Sequence, residues 1–167
     1  MAHQIFTLVV IFLSSLITLS ASEKNLEHPS LDSLRSLVGV DPSNQKYKEF
    51  FKTYNFYSNT KEISRDSTLD SFASDIGVQI SIANNVISIG IVPKSKITPS
   101  RYYSGELPHG LKAGDTIATV KSRLGKPDLT SGDVKTGYWM VFKSLGLNVC
   151  TYDGELCQVW LYPTKID

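Results

Sequence analysis

Gly77-Val78-Gln79-Ile80-Ser81-Ile82-Ala83-Asn84-Asn85-Val86-Ile87-Ser88-Ile89-Gly90-Ile91 has a diverged second version in Gly146-Leu147-Asn148-Val149-Cys150-Thr151-Tyr152-Asp153-Gly154-Glu155-Leu156-Cys157-Gln158-Val159-Trp160-Leu161. Each version is a glycine, an alternating apolar strand, a two-residue turn and a second apolar strand, the pattern of a β-hairpin. In the first, an Asn84-Asn85 turn sets Ile82 against Ile87, Ile80 against Ile89 and Val78 against Ile91, three apolar cross-strand pairs on one face. In the second, a strict Asp153-Gly154 turn puts Val149 opposite Gln158. One extra residue near Cys157-Gln158 restores Val149 with Val159 and Leu147 with Leu161, so a β-bulge is expected there. That register turns Trp160 and Tyr162 onto the face away from the core.

Working outward, Pro29-Ser30 starts a short helix carrying Leu31, Leu34, Leu37 and Val38. Asp41-Pro42 reads as the cap and first residue of a second helix. Its Tyr47, Phe50, Phe51 and Tyr54 recur at i, i+3, i+4, i+7, a stripe most simply assigned to the core. Residues 56–70 read as polar and irregular, with a strand beginning near Phe72. In the second half Asp115 is the expected cap of a helix burying Ile117, Val120 and Leu124, which Gly125 and Pro127 end. A turn near Ser131-Gly132 precedes the strand Tyr138-Trp139-Met140-Val141-Phe142. The expectation is an α+β fold of two tandem units of helix plus antiparallel β-strands, with the helices packed on one sheet face. The units are 29–92 and 102–164, joined by a linker at 93–101 into one compact domain.

Met1 to Ser22 contains no Lys, Arg, Asp or Glu and is built around Ile5-Phe6-Thr7-Leu8-Val9-Val10-Ile11-Phe12-Leu13. With small residues at its end, it reads as a signal peptide over 1–21, cleaved near Ala21. The rival reading is an uncleaved anchor, since a spanning helix needs about 17 apolar residues. A secreted or periplasmic location follows from cleavage, with no membrane span left in the mature chain. The charge balance, 17 basic against 16 acidic for a net of +1, lacks the basic stripe that nucleic acid requires.

The three histidines, His3, His28 and His109, have no second His or Cys at metal-ligand spacing, so no metal site and no cofactor are expected. There is no G-x-S-x-G elbow and no phosphate-cradling glycine loop. Nothing in the chain reads as catalytic, and a non-enzyme is expected. Aromatic residues in excess of the core pattern are the better signal, because Trp and Tyr are frequent binding anchors. The candidates are Trp160, Tyr152, Tyr162, Trp139, Tyr102 and Tyr103, with packing against the first unit as the rival role for Trp139. Cys150 and Cys157 are the only cysteines. In an oxidising compartment an even count favours a bridge, and the unbulged turn sets the two opposite each other at a spacing a disulfide spans. The bulge rotates Cys157 from that position, and two free buried thiols are the alternative.

The string Gly110-Leu111-Lys112-Ala113-Gly114-Asp115-Thr116-Ile117-Ala118-Thr119-Val120-Lys121-Ser122-Arg123-Leu124-Gly125-Lys126-Pro127, followed by a Trp-containing strand and a hairpin, resembles the helix-then-strands unit of SmpA/OmlA outer-membrane lipoproteins. It is also similar to the tandem units of β-lactamase inhibitory proteins, which open on G-M-T-x-x-x-V-x-x-x-x-G. The phrase Tyr103-Ser104-Gly105-Glu106-Leu107-Pro108-His109-Gly110-Leu111 resembles uncharacterised bacterial immunity-type proteins. Asp115 stands where a small residue is usual, and the lipid-bearing Cys of the lipoproteins is absent. The resemblance implies a scaffold that binds another protein with its sheet and has no enzyme activity. An inhibitor or immunity protein is the expected function. An envelope-associated structural or assembly protein, or a small-molecule or lipid-binding protein, is the alternative.

Overall fold

Positive φ at Asn84 (+50°) and Asn85 (+59°), and at Asp153 (+49°) and Gly154 (+77°), makes both tight turns the left-handed pair that hairpin twist favours. These turns set the strand registers from which the rest is built. The computed structural model describes residues 27–58, 69–95 and 101–164. The expected signal peptide, 1–21, lies outside the described residues, as does the middle of the expected linker.

One antiparallel sheet of eight strands organises the chain. In sequence these are β1 (Tyr57–Ser58), β2 (Leu69–Ala73), β3 (Val78–Ala83), β4 (Val86–Ile91), β5 (Leu129–Asp133), β6 (Gly137–Phe142), β7 (Leu147–Tyr152) and β8 (Glu155–Leu161). Their spatial order is β1-β2-β3-β4-β8-β7-β6-β5, so the last strand of each run meets the other at mid-sheet. The first hairpin keeps the expected register: Val78 faces Ile91, Ile80 faces Ile89 and Ile82 faces Ile87. The second carries the expected bulge. Val149 faces Val159 and Leu147 faces Leu161, the register shifts between Cys150 and Thr151, and Cys157 is the extra residue.

Among the described residues three α-helices accompany the sheet, α1 (Leu31–Arg35), α2 (Gln45–Thr53) and α3 (Ile117–Leu124). Two caps differ from expectation. Asn44, not Asp41, caps α2 by accepting from Lys46 N at 2.9 Å. Asp41 instead closes the preceding turn on Ser43 N at 2.7 Å. Thr116, not Asp115, caps α3 by accepting from Thr119 N. Asp115 accepts from Lys112 N at 2.7 Å, an Asx-type bond that competes with capping. Two irregular readings also give way. Tyr57–Ser58 and Leu69–Asp70 are strand, and Ser131-Gly132 lies inside β5, the turn coming only at Val134–Thr136.

The core is a single cluster. Leu34, Leu37, Tyr47 and Val120 share it with Val78, Ile80, Ile87, Ile89, Ile91, Met140, Phe142, Leu147, Val149, Leu156, Val159 and Leu161. Phe50, Phe51 and Tyr54 are partly buried against it, and Phe51 stacks on Phe56 with ring centroids 5.3 Å apart. The aromatic stripe of α2 is therefore core.

Ile80→Asp is expected to destabilise the fold by about 3–5 kcal/mol, the scale of an uncompensated buried charge, read as a lowered Tm. Gly90→Ala is expected to cost about 1–3 kcal/mol by overpacking, because a Cβ there would lie 3.0 Å from the Trp160 ring. Denaturant titration with a shifted tryptophan emission checks the second.

Candidate functional site

Strand alternation divides the sheet into a core face and an outer face. On the outer face one row of neighbours crosses all eight strands: Leu129, Val141, Asn148, Trp160, Gly90, Gln79, Ala73 and Tyr57, each paired with the next. The adjacent row carries Ser131, Trp139, Cys150 and Gln158. No residue in either row is charged.

Trp160 sits where β8 meets β4. Its ring atoms Cε2 and Cζ2 approach the position a Gly90 Cβ would take to 3.0 Å, so the indole lies against the bare backbone of Gly90. A larger residue there would lift the ring. Beside it Gln158 Nε2 donates to Gln79 Oε1 at 2.6 Å, a neutral clamp between strands of the two halves. At the β1 end, Arg101 Nη1 donates to the Tyr57 hydroxyl at 2.9 Å, and Arg101 pairs with Asp75 at 3.2 Å. At the opposite end Leu129 is 56% exposed.

The candidates named from sequence separate into groups. Trp160 and Trp139 share the outer face in adjacent rows, each half-buried. Tyr152 is exposed at the tip of the second hairpin, four residues along β7 from Asn148. Tyr162 follows β8 and is half-buried, and burial pushes its hydroxyl up from the ordinary value while a hydrogen bond from Asn148 opposes this. Tyr102 is away from these rows, with Lys94 Nζ 5.2 Å from its ring centroid, beside a loop pocket of about 560 Å³. Tyr103 is a correction. It is 3% exposed, donates its hydroxyl to Pro29 O at 2.6 Å, and its ring meets His28 edge-on at 5.6 Å. It is a core residue, not an exposed anchor.

The cysteine register is also corrected: the bulge sets Cys150 opposite Gln158 rather than Cys157. Both side chains are buried thiols, and they remain neighbours, with Cys157 Sγ 3.4 Å from Cys150 O. Their hydrogen bond, followed by burial, pushes the Cys150 thiol up. The same bond lowers Cys157, which is the one to ionise first.

Val141 and Leu129 were missed. The alternation of β6, with Met140 and Phe142 buried, signals Val141 on the outer face. Leu129 had no such signal, because Ser131-Gly132 reads as a turn. Among the described residues no group of three or more His, Cys, Asp or Glu gathers as metal ligands, and no helix is long and apolar enough to cross a membrane. No protein-family model, curated protein or solved structure matches the chain.

Burial first, then the Glu106 carboxylate, raise the Tyr103 hydroxyl above its ordinary value, about 10. Stability from its neutral form is fully present below that value and is lost as pH rises through the folded-state pKa. Tyr103→Phe is expected to lose about 1 kcal/mol near neutral pH with the hydrogen bond to Pro29, and to move alkaline unfolding to higher pH. Parallel pH melts of parent and variant measure both effects.

Proposed function

We propose that this chain is an exported, non-catalytic protein-binding module of the inhibitor or immunity type, which works through the outer face of its sheet. The observation that carries the reading is the uncharged row crossing eight strands, with Trp160 and Trp139 in adjacent rows and Leu129 at one end. Buried tryptophans ringed by neutral contacts are a frequent composition of binding hot spots. Central rows without Lys or Arg do not suit nucleic acid, which needs them.

The architecture is read as two tandem units, 29–92 and 102–164, each a helix followed by antiparallel strands, with the helices on the core face. Three observations support this. The strands run in chain order from each edge to the middle, the two hairpins repeat one pairing pattern, and each half has a helix with a residue in the common core. The resemblance to β-lactamase inhibitory proteins and SmpA/OmlA units points the same way. Export follows from the apolar, uncharged stretch at 1–22.

Leu129→Ser is expected to leave Tm nearly unchanged, as surface substitutions do, and to weaken capture of the partner from the native exoproteome or periplasm. Trp160→Ala is expected to weaken the same complex by about 2 kcal/mol or more, with some loss of stability from baring Gly90. Full retention of binding by both variants, measured by calorimetry, refutes the reading of this face.

An oxidising compartment also favours oxidation of the neighbouring Cys150 and Cys157 thiols to a bridge. Intact mass after alkylation is expected to show neither thiol labelled until the protein is reduced. Labelling of both thiols under denaturing, non-reducing conditions refutes the bridge.

A further inference from the structure

Beyond Trp160 the chain continues through Tyr162, Pro163 and Thr164, which close a cavity of about 470 Å³ against α1 and the turn that precedes β7. The lining is mixed in a particular way. Val38, Leu145 and Pro163, each half-buried, supply apolar wall, with the core leucines Leu147 and Leu161 behind them. Arg35 and His109, both exposed, supply positive or ionisable groups, and no Asp or Glu lines the cavity. The two come from distant parts of the chain, Arg35 ending α1 and His109 lying in the short helical turn Pro108–Gly110. His109 is held at φ +55°, a left-handed backbone uncommon for residues other than glycine. Backbone strain of this kind gathers at ligand-binding positions.

An arginine fork matches a carboxylate through two parallel hydrogen bonds, while the apolar wall favours an apolar body over a bare ion. We propose that this cavity binds a small organic carboxylate, its charged group at Arg35 and His109 and its apolar body against Val38, Leu145 and Pro163. The site does not rest on the protein-binding reading.

Titrating the full chain with phenylacetate, and in parallel with inorganic phosphate, tests it by calorimetry and amide NMR shifts at His109 and Gly146. Saturable phenylacetate binding is expected, weakened about tenfold or more by R35Q and by H109N, with phosphate bound more weakly. Asn tolerates the left-handed backbone, so H109N keeps the turn. Absence of saturable phenylacetate binding, affinity unchanged in both R35Q and H109N, or phosphate bound as tightly as phenylacetate overturns the proposal.

Discussion

The two runs of strands are joined in the sheet through three residue pairs of β4 and β8: Ile89 with Leu161, Gly90 with Trp160 and Ile91 with Val159. The outer pairs place four apolar side chains in the common core, and the middle pair puts the indole of Trp160 on the other face against a glycine. The seam therefore serves both faces with one short ladder. Further bonds brace it from the first half: Val92 N donates to Gly77 O and Tyr103 N to Val92 O, each at 2.8 Å. Gly77 is required there, since its φ is +71° and a Cβ would lie 2.2 Å from Tyr103 N.

The bulge at Cys157 is the second constraint, and it acts through parity. Side chains alternate across a strand, so a slip of one residue exchanges the faces. Without the extra residue Gln158 would oppose Val149 and Trp160 would oppose Leu147, putting polar and aromatic groups on the buried side. With it, Leu156, Val159 and Leu161 are buried, and Gln158 is free to reach Gln79. The same irregularity that completes the core thus composes the outer face, and leaves two buried thiols side by side in the hairpin.

The proposed recognition of another protein would rest on the two uncharged, tryptophan-bearing rows of the outer face. The fold supplies preorganisation, which lowers the ordering entropy lost on binding. The carboxylate pocket draws on different physics, a charged mouth over an apolar wall, and it is assembled from α1, the turn at His109 and the chain after β8. A single sheet can carry both because one uses its face and the other its end.

Both hairpins, their registers and the bulge were legible in the sequence, because they depend on local turn chemistry and a period of two that survives in any context. The amphipathic stripes of α2 and α3 were legible for the same reason. The caps were misread by one to three residues where two nearby polar side chains each hold a backbone donor of their own, Asp41 that of Ser43 and Asn44 that of Lys46, and only the second donor lies in the helix. Strand β5 was missed because Leu129-Thr130-Ser131-Gly132-Asp133 has no apolar alternation and is strand only by pairing with β6. Tyr103 was misplaced because burial by Pro29 and His28, over 70 residues away, leaves no trace in its neighbours. Local periodicity and turn residues determined the hairpins. Only long-range packing decided which β4 residue Trp160 would cover, which aromatics would be core, and which distant residues would line one pocket with His109.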